Sequence, residues 1–265
     1  MQAISDIRCF VLDMDGTIYL GKDLFPCTKP FLAAVERTGR KYYFFTNNSS
    51  KSQQVYLDRL ARYGIPVTRE QMMTSSHVIM DYLREKHPGE GIYLVGTPAL
   101  WNEFSKAGMP LTDEHPSIVI LGFDTTLTYE KLERACYFLR HGCTYYAINQ
   151  DWNCPIEGGE FIPDCGSMAK LIEASTGRKP EFFGKPTRHT MDYIVRHTGC
   201  RPEEIAVVGD RLYTDIAVTQ GTGAKSILVL TGETKREDVE KSSVQPDIIV
   251  ESLADITGSL LQADG

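Results

Sequence analysis

The stretch Phe10-Val11-Leu12-Asp13-Met14-Asp15-Gly16-Thr17 decides how the chain is read. An apolar run there ends in two carboxylates one residue apart, followed by Gly and a hydroxyl residue. Residues Ile7 to Leu12, with Arg8 the only charge among them, read as a short strand buried on both faces. Asp13 and Asp15 then fall where the strand stops and the chain turns. In an open parallel α/β sheet, that carboxyl end is where ligands bind. A carboxylate pair at such a place can hold a hard cation, and one member can act as a covalent nucleophile. The same residues also suit a plain Asp-Gly turn after a core strand, so the rest of the chain must decide.

Outward from that strand, Thr28 and Pro30 introduce a helix through about Arg37, with Gly39 as its stop. The aromatic run Lys41 to Phe45 predicts a second buried strand, ending in Thr46-Asn47-Asn48-Ser49-Ser50. Tyr56, Leu60 and Tyr63 share one helical face, and that helix stops at Gly64. The order strand, helix, strand, helix implies a parallel sheet. From Met72 to Lys86 the chain leads into a second unit. It has strands at Ile92–Val95, Ile118–Leu121 and Thr144–Ile148, with helices between them. Gly184-Lys185-Pro186-Thr187 then precedes a helix carrying Met191, Ile194 and Val195, with Thr187 as its cap. Ile205–Val208 is a buried strand ending in Gly209-Asp210, and Ile227–Leu230 and Asp247–Val250 are the last strands. The polar tail from Gly258 is expected to fray.

Composition narrows the class of protein. The 265 residues are 42% hydrophobic and 24% charged, and the net charge of −7 comes with no long basic run. That argues against non-specific nucleic-acid binding, while a metal and local donors can still hold a phosphate in an acidic protein. Seven cysteines, an odd count without a Cys-x-x-Cys pair, read as reduced thiols of a cytoplasmic protein. No apolar run reaches the roughly 20 residues that span a bilayer, and the N-terminus lacks a signal-peptide pattern.

Three polar stretches share one placement, each directly after an apolar strand. They are Asp13-Met14-Asp15-Gly16-Thr17, Thr46-Asn47-Asn48-Ser49 and Gly209-Asp210-Arg211-Leu212-Tyr213-Thr214-Asp215. In a parallel sheet such residues converge at one edge. Convergence of Asp13, Asp15, Asp210 and Asp215 without a cation is repulsive, and oxygen-only ligation suits Mg²⁺ better than Zn²⁺.

With Lys185 added, these motifs resemble, in order, those of the haloacid dehalogenase superfamily of phosphatases. The nearest resemblance is to its NagD-type or p-nitrophenylphosphatase-like branch. Thr46-Asn47-Asn48-Ser49, Gly184-Lys185-Pro186, Gly209 to Ile216 and Leu228-Val229-Leu230-Thr231-Gly232 carry that narrower likeness. The 28 residues between Thr17 and Thr46 are too few for an inserted domain, whereas 135 separate Ser49 from Lys185. The resemblance thus implies a doubly wound parallel-sheet α/β core, residues 1–76 and 181–265, with a smaller α/β cap inserted at 77–180.

It implies roles as well. Asp13 attacks phosphorus and forms an aspartyl-phosphate, while Asp15 protonates the leaving oxygen and then activates water. Thr46, with donors around Asn47 and Asn48, binds the phosphoryl oxygens, and Lys185 supplies positive charge. Asp13, the backbone carbonyl of Asp15 and Asp210 hold Mg²⁺. Asp215 and Thr17 stand beside them, Asp215 orienting the ion's water or Lys185. The expected substrates are small phosphorylated metabolites, nucleoside monophosphates or sugar phosphates, with p-nitrophenyl phosphate as an artificial one. A homodimer through the cap also fits the branch. A phosphomutase, or a non-catalytic protein that binds phosphorylated metabolites, could use the same fold. Asp164 stands where the branch usually has Gly, which points to a role for it toward substrate; neighbouring Cys165 has no assigned role.

Overall fold

The computed structural model describes residues 4–156 and 158–263. Strand β1 (Cys9–Leu12) is buried at every position, so both of its faces are covered, as its unbroken apolar run predicts. A hairpin of β2 (Tyr19–Leu20) and β3 (Asp23–Leu24) follows, turning at Gly21 with φ +57°. Next come α1 (Thr28–Arg37), β4 (Lys41–Thr46), α2 (Gln53–Arg62) and β5 (Met72–Thr74). The chain continues through α3 (Ser75–Lys86), β6 (Ile92–Val95), α4 (Pro98–Lys106) and β7 (Ile118–Leu121). Helix α5 (Tyr129–Arg140) leads to β8 (Thr144–Ala147), then to the antiparallel pair β9 (Asn153–Pro155) and β10 (Phe161–Pro163). Helix α6 (Cys165–Thr176), β11 (Glu181–Phe182) and α7 (Arg188–Thr198) precede β12 (Ile205–Gly209). The last elements are β13 (Lys225–Val229), α8 (Arg236–Lys241), β14 (Ile248–Val250) and α9 (Leu253–Ala263). Helix α9 runs through the segment expected to fray, because Leu253, Ile256 and Leu260 form a buried stripe on it.

The protein is α/β and separates into two compact units. One comprises the chain up to Thr46, Arg59–Met73 and everything from Thr190 onward. The other comprises Asn47–Asp58 and Thr74–His189, so residues 47–58 and 181–189 pack with the unit they were expected to flank.

In the first unit the sheet order is β14-β13-β12-β1-β4-β5. β1 pairs in parallel with β4 on one side and with β12 on the other. The chain therefore leaves β1 toward β4 and returns to fill its opposite flank much later, which makes β1/β12 the place where strand order reverses. Ligands of open α/β sheets bind outside the strand ends at such a point. The second unit has its own parallel sheet, ordered β11-β8-β7-β6. Its core joins Val119, Leu121, Phe138 and Leu139 to Cys165, Ala169 and Ile172 of α6. Among the described residues, no helix is long and apolar enough to cross a membrane.

Candidate active site

The ladder of β1 extends one residue past the strand, where the Asp13 N–H donates to Val208 O at 2.8 Å. That bond sets Asp13 beside the end of β12. One carboxylate oxygen from each of Asp13, Asp210 and Asp215 lies within 4.8 Å of the other two. Asp210 is 2% exposed, and its Oδ1 has no hydrogen-bond partner among the described residues. Its Oδ2 accepts the Glu233 N–H at 2.7 Å. Burial, then the charges of Asp13 and Asp215, drive the Asp210 carboxyl well above the ordinary range. Three acidic groups, one with an orphaned oxygen, form an oxygen-only donor set that fits a hard divalent cation.

Glycines make this approach possible. A Cβ on Gly232 would come 2.0 Å from Asp210 Oδ2, and one on Gly16 would come 2.4 Å from it. Gly16 also has φ +89°, a conformation that side chains disfavour. A Cβ on Gly209 would fall 2.2 Å from the Asp215 Cβ. Residues Leu212–Ile216 form a single π-helical turn after β12, and it presents Asp215 back toward that strand's end. The Arg211 N–H donates to Asp215 Oδ2 at 3.1 Å, and the Thr214 hydroxyl donates to the same oxygen at 3.4 Å.

Asp15 is exposed on the turn beyond Asp13, and Gly16 N–H donates to Tyr19 O at 2.7 Å to close that turn. Thr17 is fully buried and its Oγ1 has no partner among the described residues. Thr46, the last residue of β4, is 8% exposed. Asp13, Asp15, Thr17, Thr46, Asp210 and Asp215 thus all belong to the first unit.

Asn47, Asn48 and Lys185 belong to the second. The Asn47 amide grips the Lys185 backbone from both sides. Lys185 N–H donates to Asn47 Oδ1 at 2.8 Å, and Asn47 Nδ2 donates to Lys185 O at 2.9 Å. Asn47 Nδ2 also reaches Asp151 Oδ2 at 3.2 Å. The Asn48 side chain folds onto its own loop, accepting from Ser50 N–H at 3.0 Å and Ser50 Oγ at 2.7 Å. Lys185 is 2% exposed. Gly184 just before it has φ +77°, and a Cβ there would lie 2.9 Å from Asn47 Oδ1. Thr187 donates its hydroxyl to Gly184 O at 2.7 Å, bracing the same turn.

Three residues of this region were not anticipated. Arg211 pairs with Glu233 at 2.9 Å, and the Tyr213 hydroxyl donates to the same carboxylate at 2.9 Å. The segment carrying Thr231, Gly232 and Glu233 is thereby strapped over Asp210, and Thr231 Oγ1 donates to Gly16 O at 2.6 Å. Asp164, expected to act toward substrate, is buried and caps α6. Its Oδ1 accepts from Cys165 N–H at 2.5 Å and from Asn149 Nδ2 at 3.1 Å. The Cys165 thiol is buried and donates to Leu121 O at 3.3 Å. Burial pushes it far up, so it is not a reactive thiolate.

Comparison with known proteins finds two family models. Residues 10–110 match a haloacid dehalogenase-like hydrolase model and residues 182–256 a HAD-hydrolase-like model. An acid sugar phosphatase from Staphylococcus aureus is 34% identical over 240 residues, covering 90% of this chain and 92% of that protein. Among solved structures, a 4-nitrophenylphosphatase from Thermotoga maritima superposes with a TM-score of 0.94 at 41% identity, covering 97% and 99% of the two chains. NagD from Escherichia coli K-12 gives a TM-score of 0.86 at 31% identity, covering 94% and 98%.

Proposed function

Because the chain belongs to the haloacid dehalogenase-like hydrolases, among their NagD-type phosphatases, we propose that it is a Mg²⁺-dependent phosphomonoesterase of small phosphorylated metabolites. Sugar phosphates lead as substrates, since a relative covering most of the chain is called an acid sugar phosphatase; nucleoside monophosphates follow. p-Nitrophenyl phosphate is the artificial substrate suggested by the name of the Thermotoga protein. One observation supports this reading most: three carboxylates gather at the β1/β12 reversal, with Asp210 Oδ1 buried and without a hydrogen-bond partner among the described residues. Asp13, Asp210 and the Asp15 carbonyl would hold Mg²⁺, with Asp215 at their side. When bound, the ion neutralises carboxylate and phosphoryl charge at this cluster.

The chemistry of the protein's own groups then runs as follows. Asp13 attacks phosphorus in line with the ester oxygen, the P–O bond breaks, and Asp15 gives its proton to the departing oxygen. Water then attacks the aspartyl-phosphate, Asp15 takes its proton, and inorganic phosphate leaves. The Thr46 hydroxyl and the backbone N–H groups of Asn47 and Asn48 bind phosphoryl oxygens, because both Asn side chains are engaged elsewhere. Lys185 supplies positive charge, and Asn47 fixes its backbone. The catalytic core takes residues 1–76 and 181–265 and the cap 77–180. Residues of the 47–58 loop pack with the cap through the bonds of Ser49 to Asn149 and to Phe123 N–H.

The test is phosphate release across a panel of sugar phosphates, nucleoside monophosphates and p-nitrophenyl phosphate, with Mg²⁺ and with chelator. Mg²⁺-dependent release that disappears in Asp13→Asn supports the proposal. Wild-type protein that releases no phosphate from any ester in Mg²⁺ overturns it.

A further inference from the structure

The hairpin formed by β2 and β3 starts four residues after Asp15 and carries no catalytic side chain, yet it is held at three points. Arg59, on the last turn of α2, lays its guanidinium over the Tyr19 ring, 3.9 Å from the centroid. Its Nη2 donates to Gly21 O at the hairpin tip. Tyr63, one turn further on, donates its hydroxyl to Lys22 O at 2.8 Å. The Arg59 and Tyr63 side chains also touch each other, Nε to hydroxyl at 3.5 Å, and the Tyr19 and Tyr63 rings lie 5.9 Å apart. Two tip carbonyls and one buried ring are thus gripped by a single stretch of chain.

Tyr19 connects that grip to the chemistry. Its carbonyl accepts the Gly16 N–H at 2.7 Å, and Asp15 and Tyr19 form a β-bridge. Tyr19 is 1% exposed, and burial raises its phenol far above the ordinary range, with the Arg59 charge opposing and the Asp15 and Asp13 charges adding. The backbone of Asp15 is therefore one hydrogen bond away from a residue whose ring is clamped. The same turn is tied at its base by Met14 O, which accepts from the N–H groups of Thr17, Ile18 and Tyr19 at 3.3, 3.0 and 3.4 Å, so Tyr19 is bonded on both sides of Asp15.

We infer that Arg59 and Tyr63 are positioning residues that set the aim of Asp15 through the Tyr19–Leu24 hairpin. The inference rests on the acid role of Asp15 given above. A misaimed acid harms esters in proportion to how much their leaving oxygen needs a proton. Misplacement by about 1 Å can cost on the order of a hundredfold. Esters of good leaving groups, such as p-nitrophenyl phosphate, hardly need the proton.

The experiment measures kcat/KM, which reports the steps up to departure of the leaving group, across aryl and alkyl phosphates of increasing leaving-group basicity. The proteins are wild type, Arg59→Met, Tyr63→Phe and Asp15→Asn, each with saturating Mg²⁺. Arg59→Met should lose about tenfold more on the poorest leaving group than on p-nitrophenyl phosphate. Tyr63→Phe, which keeps the ring and removes the Lys22 bond together with the long contact to Arg59 Nε, should show the same tilt more weakly. Asp15→Asn should show it most strongly. A uniform loss, or none, in both Arg59→Met and Tyr63→Phe beside a steep Asp15→Asn series overturns the clasp alone. A flat Asp15→Asn series overturns the acid role itself, and the clasp with it.

Discussion

The protein holds two acidic clusters, one in each unit, and they are built on opposite principles. In the second unit, Asp151 and Asp164 are 7% and 3% exposed and share the amide of fully buried Asn149, which donates to each at 3.1 Å. Asn47 adds a further donor to Asp151, and the α6 N-terminus adds one to Asp164. In the first unit, one carboxylate oxygen from each of Asp13, Asp210 and Asp215 lies within 4.8 Å of the others, and Asp210 Oδ1 has no hydrogen-bond partner among the described residues. A buried carboxylate that is fully hydrogen-bonded holds structure, whereas a partly satisfied cluster is held at a cost in stability. The contrast separates a scaffold from a site poised for a cation.

The sharpest break in that comparison is chemical. Asp13→Asn keeps size and hydrogen bonding but removes the nucleophile, so kcat on p-nitrophenyl phosphate should fall on the order of 10⁴-fold or more. The variant's circular dichroism should match wild type. A loss below tenfold would place the nucleophile elsewhere.

Next is the cradle. Gly232 has no unusual φ, so Gly232→Ala acts through its methyl alone, which would stand 2.0 Å from Asp210 Oδ2. Asp210 must move, and the Mg²⁺ concentration giving half-maximal activity should rise about 10- to 100-fold. Direct calorimetric titration with Mg²⁺ should show the same shift. Unchanged Mg²⁺ affinity would mean that Asp210 does not contribute to the ion's site.

Much of this was legible in the sequence, for a physical reason. The placement of Asp13, Asp15, Thr46 and Asp210 just past strand ends is legible because each follows an apolar run in the sequence. Apart from the three-residue β5, the main-sheet strands are legible because parallel strands buried on both faces have no polar face to interrupt them. What escaped depends on geometry between distant residues. Gly232 matters for a side chain it lacks, which shows only once Asp210 lies against it. That the Asn47 amide bonds the backbone of Lys185, 138 positions away, shows only once the chain is folded. Asp164 departs from the branch's Gly because it starts α6: an Asp followed by small residues, with Ala169 and Ile172 on one face, is a capped helix start. The β9–β10 hairpin has three-residue strands containing Asn, Cys and Pro, too short and too polar for alternation to show.

The scaffold cluster gives a smaller effect, on stability. Asn149→Leu removes the shared amide and leaves both Asp151 and Asp164 short of a donor in a buried place. Losing such a partner costs about 1–3 kcal/mol, which urea denaturation should register as a lower midpoint with an unchanged slope. Mg²⁺ affinity should stay at the wild-type value, since the first-unit carboxylates are untouched. A variant as stable as wild type would mean that the two clusters do not differ in the way described.

The smallest effect has the opposite sign, and it tests the contrast most directly. Asp210→Asn replaces a buried carboxylate that faces two others by a neutral group of the same shape. Burial and the charges of Asp13 and Asp215 both disfavour the ionised Asp210, so neutralising it relieves repulsion at neutral pH. In chelator, the variant should melt about 2–4 °C above wild type, the shift expected from about 1 kcal/mol in a domain of this size. Adding Mg²⁺ should then raise the wild-type melting temperature by mass action and leave the variant nearly unmoved, reversing their order. A site built for a cation is less stable without it than its neutralised variant, whereas a scaffold carboxylate is not. If Asp210→Asn melts below wild type in chelator, the Asp210 carboxylate is already satisfied by the protein, and the two clusters are of one kind.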